Sequence, residues 1–291
     1  MKTYELTVRG VRTVVREEGE GRAGEAVVFV HGNPGSGADW EGLLERAARH
    51  TRAIAWDAPG FGRAGKPRGF AQTVDGHADF IGAMLDALDV RRAHLCVHDF
   101  GGPWALAWAA RELGKPRKAG ATGRLASLVL IDTGVLLDYR WHALAKVWRT
   151  PVLGEVFMAT TTRRAFRVLV GRLGNPRGLP EEFVDRMYRD FDRATRRSVL
   201  RLYRSFSDPA GWSAAVAAPL SAAHGAGDLP VLVIWGAHDP YLRIEQAEIQ
   251  RRTFPHAEVV ILPDSGHWPF ADNPGMVEAA AGGFWEKVIA S

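Results

Sequence analysis

Ala93-His94-Leu95-Cys96-Val97-His98-Asp99-Phe100-Gly101-Gly102 is the stretch on which the reading of the fold turns. Ala93–Val97 is a short apolar run of strand length, and from Gly101 to Leu113 apolar residues recur at helical spacing. A strand that runs almost directly into a helix puts whatever lies between them at the strand's carboxyl end. Here that residue is Asp99. The glycines at 101 and 102 let the helix approach the sheet closely.

Outward from this junction the same alternation repeats. Tyr4–Val8 and Val11–Val15 read as a hairpin around a glycine-containing turn. Ala26–Val30 (AVVFV), Arg52–Trp56 (RAIAW) and Leu125–Ile131 (LASLVLI) read as buried strands, with helices at Trp40–His50 and Val74–Leu88. From about Leu136 to Ala217 no strong strand signal occurs, and Arg, Trp, Phe and Leu recur at helical spacing. Strand and helix then resume at Val231–Trp235, Glu258–Leu262 and Met276–Ile289. This predicts an α/β fold with a mostly parallel sheet covered by helices on both faces. A core made of residues 1–135 and 218–291 carries an all-helical cap, 136–217, inserted after the sixth strand and over the ends of the strands, where open α/β sheets bind ligands. Gly114–Gly123 (GKPRKAGATG) reads as a polar, basic, mobile surface loop.

With 291 residues, 46% hydrophobic and 24% charged, the chain has ordinary globular composition and can bury a large core. Net charge is only +4, and the basic clusters at Arg163–Arg172 and Arg193–Arg204 read as solvated helix faces. A nucleic-acid binder needs a concentrated stripe, so no nucleic-acid partner is expected. The one cysteine, Cys96, excludes an internal disulfide and reads as a small buried hydrophobe. MKTYELTVRG has no apolar signal run, and no stretch approaches the roughly 20 apolar residues of a membrane span, so a cytoplasmic protein with no membrane partner is expected. No His/Cys cluster has zinc spacing and no glycine-rich phosphate loop follows a strand; neither a metal nor an organic cofactor is expected.

Four signals follow strand ends in order: His31-Gly32-Asn33-Pro34-Gly35; Asp57-Ala58-Pro59-Gly60-Phe61-Gly62; His98-Asp99-Phe100-Gly101; and the pair Asp239 (WGAHDPY) with His267 (DSGHWPF). All therefore fall on one rim of the sheet. In this set the chain resembles the α/β-hydrolase superfamily from about Glu25 to its end, which implies an eight-stranded sheet and a nucleophile elbow at 98–101. The elbow carries aspartate where the serine enzymes carry serine. In this it resembles the epoxide hydrolase and haloalkane dehalogenase branch. The resemblance implies that Asp99 is the nucleophile. A carboxylate is ionised at neutral pH and needs no base. It can attack an sp³ carbon to give an alkyl ester, which water activated by His267 then hydrolyses. Asn33 and Phe100 backbone N–H groups are the natural oxyanion donors. Asp239 is preferred as the acid that orients His267 because it follows the strand before the histidine strand; Asp132, closing LASLVLI, is the reserve.

Each residue also has a structural reading. Asp99 alone could be a helix cap, and the ordered set of motifs decides against that. His31, His98 and Asp57 read as structural, shaping turns or packing behind the nucleophile.

The leaving group divides the branch. A halide wants N–H donors: Asn33 matches the halide-binding asparagine of haloalkane dehalogenases, but the residue after the nucleophile is Phe100, without an N–H, unless Trp141 or Trp148 of the cap supplies one. An epoxide wants acidic O–H donors from two cap tyrosines. Tyr203, in a Tyr-Arg context about 36 residues before Asp239, fits the first, and Tyr139 is the candidate second, with Tyr188 in reserve. On these residues epoxide hydrolysis to a vicinal diol is favoured over dehalogenation. A cofactor-independent luciferase-like oxygenase and a non-catalytic ligand-binding protein are more remote. The expected partners are a small hydrophobic substrate and water, with a homodimer through exposed cap helices as an expectation from the resemblance.

Overall fold

Eight strands form a single sheet in the computed structural model, which describes residues 1–116, 123–173 and 175–289. They are β1 (Lys2–Val8), β2 (Val11–Glu18), β3 (Glu25–Val30), β4 (Arg52–Trp56), β5 (Arg92–His98), β6 (Leu125–Ile131), β7 (Val231–Gly236) and β8 (Glu258–Leu262), in the spatial order β1-β2-β4-β3-β5-β6-β7-β8. β1 and β2 form an antiparallel hairpin closed by the two-residue turn Arg9-Gly10, with φ of +49° and +75°, and β2 runs antiparallel to β4. All other pairs are parallel.

The burial pattern explains the topology. Every residue of β3, β6 and β7 is buried, as parallel strands covered on both faces require. β1, at the edge, alternates instead between exposed and half-buried positions. The helices of the core are α1 (Glu41–Ala47), α2 (Val74–Ala87) and α3 (Gly101–Leu113). α1 begins after a short 3-10 turn at Gly37–Trp40, within the helix expected for Trp40–His50. Thr73 caps α2, its hydroxyl accepting the Gly76 N–H at 3.0 Å.

After β6 come α4 (Ala143–Arg149), α5 (Leu153–Thr160), α6 (Arg163–Gly171), α7 (Glu181–Asp190), α8 (Arg193–Ser205) and α9 (Pro209–Gly225); α10 (Glu245–Ile249), α11 (Pro269–Asp272) and α12 (Pro274–Ile289) complete the chain. α2 packs on α3 and α3 on α9, while α1 packs on α12. The expected division at residues 217 and 218 falls within α9, which continues through Pro219 as one Ala-rich helix. α9 also reaches back to the start of the insertion: the Ser213 hydroxyl accepts the Leu136 N–H at 3.0 Å. Most of the basic loop expected at Gly114–Gly123 lies outside the described residues.

Six tryptophans have less than 2% exposure or nearly so, among them Trp56 and Trp235 on the sheet and Trp104 on α3. Burying a large apolar side chain is worth about 2–3 kcal/mol, so these anchor the layers around the rim that carries Asp99. α8 is fastened to the core by polar contacts. Ser205 Oγ donates to Gln72 O at 2.9 Å, Arg201 donates to Phe70 O and Arg68 O, and Lys66 pairs with Asp192 at 2.8 Å. Among the described residues no helix is long and apolar enough to cross a membrane.

Candidate active site

Asp99 sits where β5 turns into α3, with φ of +49°, a left-handed conformation that a non-glycine residue adopts only when its surroundings hold it there. Three contacts do so. The Thr133 hydroxyl donates to the Asp99 carbonyl at 2.7 Å, the Gly102 N–H donates to the same oxygen at 3.0 Å, and the Asn33 N–H donates to Asp99 Oδ1 at 2.6 Å. A β-carbon at Gly32 would stand 2.3 Å from Asp99 Oδ1, so the turn after β3 must be glycine to let the two loops meet. The carboxylate keeps 12% of its exposure, directed into a cavity.

His267, on the turn after β8, faces Asp99. Its Nε2 lies 3.6 Å from Asp99 Oδ2, and its Nδ1 donates to Asp239 Oδ2 at 2.6 Å. Asp239 accepts three N–H groups in all, since its Oδ1 takes those of Tyr241 and Leu242 at 2.7 and 2.9 Å. Asp132 Oδ1 is occupied by the Gly236 N–H. The acid hydrogen-bonded to His267 is thus Asp239, and Asp132 stands behind it. His98 packs behind His267, with ring centroids 4.7 Å apart, and its Nε2 donates to the His267 carbonyl at 2.7 Å. Burial, reinforced by the charge of His267, lowers the His98 pKa to about 3, so it stays neutral in that role. His31 accepts the Ala58 N–H at 2.9 Å and Asp57 accepts N–H groups from Gly37 and Arg63, so both tie the rim loops together.

The electrostatics follow from one imidazole between two carboxylates. Burial disfavours charging His267, but Asp239 and Asp99 outweigh it and raise its pKa to about 10. Burial would likewise raise Asp99, yet its hydrogen bond and charge interaction with His267 leave it below the usual carboxylate range. The resting pair is therefore an imidazolium and an ionised aspartate. The sign for stability follows: a base whose pKa rises on folding stabilises the native state fully below its unfolded value near 6.5, and that contribution is lost as pH rises toward about 10. The difference in urea-unfolding free energy between wild type and His267→Gln should accordingly shrink from pH 6.5 to pH 10. A constant gap over that range would mean that the resting imidazole is uncharged.

The Asp99 cavity is mostly apolar, with Leu144, Phe157 and Phe166 in its wall. Tyr203 lines it, its ring edge-on to Phe100 at 4.9 Å and to Trp148 at 4.9 Å. Burial, with the charge of Asp99, pushes the Tyr203 hydroxyl well above the usual range, so it remains protonated. Asn33 lines the same cavity, where its side chain interacts with the Tyr203 hydroxyl, and the Nε1 groups of Trp148 and Trp268, also lining residues, have no hydrogen-bond partner. Tyr139 lies instead beside a second chamber that also reaches Asp99, with its hydroxyl at the His142 backbone. Trp141 lines that second chamber too. Tyr188 packs on Phe166 at 5.5 Å and lines neither chamber. The Phe100 N–H makes no hydrogen bond to the Asp99 carboxylate in this arrangement.

Two residues that line both chambers have no counterpart in the sequence reading. His142 caps α4 by accepting the Ala145 N–H at Nδ1, which leaves the proton on Nε2, and burial lowers its pKa to about 4. Tyr241 stands 4.9 Å from the His267 ring, and its hydroxyl donates to Leu169 O at 3.1 Å. Tyr241 could have been suspected from its place two residues after Asp239. No periodicity marks His142.

A family model described as alpha/beta hydrolase fold matches residues 25–274. A haloalkane dehalogenase of Agrobacterium fabrum is 29% identical over 162 residues, 56% of this chain and 51% of the relative, so the match spans about half of that protein's length. A cis-3-alkyl-4-alkyloxetan-2-one decarboxylase of Shewanella oneidensis is 28% identical over 282 residues, 93% of this chain and 84% of the relative. Among solved structures, a haloalkane dehalogenase of Bradyrhizobium elkani superposes with a TM-score of 0.81 at 23% identity, covering 99% of each chain, which is a likeness of fold.

Proposed function

The chain belongs to the α/β-hydrolase fold family, and from that premise we propose that it displaces a halide from a small apolar substrate through a covalent ester on Asp99, under a cap formed by α4–α8. In this reading the Asp99 carboxylate attacks the carbon and the halide departs with the bonding electrons. Esterification removes the negative charge on the Nε2 side of His267. The pKa of the imidazolium then falls, its proton goes to solvent, and the neutral ring takes a proton from water. The hydroxide equivalent attacks the Asp99 carbonyl carbon, and the Asn33 N–H, already 2.6 Å from Oδ1, holds the developing oxyanion. Collapse frees the alcohol and regenerates the carboxylate.

The observation that carries the leaving-group assignment is the set of unsatisfied Nε1 donors of Trp148 and Trp268, together with the Asn33 side chain, on residues that line the Asp99 cavity. A buried N–H without an acceptor costs about 1–3 kcal/mol, which an anion in the cavity would recover. A halide ion needs hydrogen bonds and no proton. On this reading the donor missing at Phe100 comes from the cap. The printed name of the Agrobacterium relative supports it.

Epoxide opening is the second reading, and Tyr203 favours it. An alkoxide leaving group needs a proton, and the protonated Tyr203 hydroxyl lines the cavity beside Asn33. The Shewanella relative, named for an oxetan-2-one, adds a strained C–O ring to the precedents. The reading ranks second because the other tyrosine it calls for, Tyr139, lines the neighbouring chamber with its hydroxyl at a backbone group.

The test is a panel of 1-bromo- and 1-iodoalkanes against styrene-oxide-type epoxides, with halide and diol both quantified. Halide release is expected, and Trp148→Phe should lower it roughly tenfold or more, the worth of one hydrogen bond to a charged group. Diol formation without halide release would replace the first reading with the second.

A further inference from the structure

Asp132 has no part in the mechanism above, yet it is buried completely at the end of β6, with φ of +42°. Its Oδ1 accepts one N–H, that of Gly236 at 2.9 Å, and Gly236 in turn accepts the Asp239 N–H at 3.2 Å. This backbone link draws the two carboxyl groups together. Asp132 Oδ2 is buried, has no donor, and faces the Asp239 carboxyl.

Two carboxylates brought together out of water cannot both be ionised unless cations separate them. Among the described residues the cation beside them is His267, and it is bonded to Asp239 and already shared with Asp99. The count of donors shows which carboxyl carries the charge. Asp239 accepts three N–H groups, two at Oδ1 and one at Oδ2. Asp132 accepts one, and its other oxygen is buried with no hydrogen-bond donor. Burial, with the charge of Asp239, holds the Asp132 carboxyl well above the usual range, which agrees with this count.

We propose that Asp132 is held as a neutral carboxylic acid whose Oδ2–H donates to the Asp239 carboxylate, making it a positioning residue for the acid that orients His267. This rests on Asp99, His267 and Asp239 acting as a triad, but the proton on Asp132 can be observed without turnover. The infrared difference spectrum of the resting enzyme, wild type minus Asp132→Asn at neutral pH, should show loss of a protonated-carboxyl C=O band. Loss of a carboxylate band instead, or of neither, would overturn the proposal.

Kinetics supply the second readout, on whichever substrate the panel identifies. Asn keeps both the acceptor for Gly236 and a donor toward Asp239, so Asp132→Asn should retain kcat within about threefold. Asp132→Ala removes the donor and should lower kcat roughly tenfold or more. If Asp132→Asn were as impaired as Asp239→Asn, Asp132 would be an ionised member of the site and the proposal would be wrong. Should Asp132→Ala fail to fold, the infrared measurement on the Asn variant decides.

Discussion

His267→Gln is expected to make the first bond and stop there, leaving the substrate's alkyl group on Asp99 as a stable mass increase. The reason is a division of labour. Attack by Asp99 requires only an ionised carboxylate, and although glutamine removes the imidazolium that chiefly lowers the Asp99 pKa, the Asn33 N–H still supports the carboxylate. Hydrolysis requires a base within reach of water on the Nε2 side, and among the described residues His267 is the ring placed there, 3.6 Å from Asp99 Oδ2. Glutamine preserves a hydrogen-bonding side chain of similar reach but cannot take up a proton. Steady-state turnover should fall by about 1,000-fold or more, since general-base help contributes 10²–10⁴. Intact-mass measurement after incubation should show one adduct per chain, and peptide mapping should put it on Asp99. An unmodified protein that still binds substrate would count against the covalent route, whatever the leaving group is.

Gly101→Ala should be costly to the fold. A β-carbon there would lie 2.2 Å from the Val30 carbonyl oxygen and 2.8 Å from the His31 carbonyl oxygen. Both are main-chain atoms of β3 and the loop that carries Asn33, so neither can swing aside as a flexible side chain would. Either α3 retreats from the sheet or β3 shifts within its ladder to β4 and β5. Forced overpacking of this kind costs about 3 kcal/mol or more. In a domain of this size that corresponds to a Tm lower by roughly 6–12 °C. Activity should fall as well, because retreat of α3 carries Asp99 away from Asn33. A Tm within a degree of wild type would mean that the elbow is looser than its contacts imply.

These two residues also mark the division between what could be read in the chain and what could not. The elbow was legible because its constraints are local. AHLCV is apolar at strand length, Gly101 and Gly102 follow at once, and a helix-period pattern begins there, so Asp99 had one place to go. The ends of β6, β8 and α3 fall where the hydrophobic runs end, and in β6 continuous burial on both faces leaves no freedom in register. The segment after β6 was legible as helical, but the helix that crosses residue 217 was not, since α9 runs on past Pro219.

Within the site, order along the chain put Asp99, Asp239 and His267 on one rim, and no spacing could say more. The choice of Asp239 over Asp132 was settled in space by Gly236, whose N–H engages Asp132 Oδ1 while Asp239 reaches His267 Nδ1. The cap side of the cavity was the least legible. Tyr203 and Tyr188 both lie on amphipathic helices, yet one lines the Asp99 cavity and the other packs on Phe166. His142 and Tyr241 enter it from loops and helix ends that have no period at all. The sequence by itself determined the sheet and the strand-to-helix turn that carries Asp99, because those depend on burial and backbone geometry over a few neighbouring residues. Only the tertiary structure decided which donors face Asp99 from the cap, because that depends on how separate helices pack, and side-chain direction across a packed interface is not written in the spacing of any one of them.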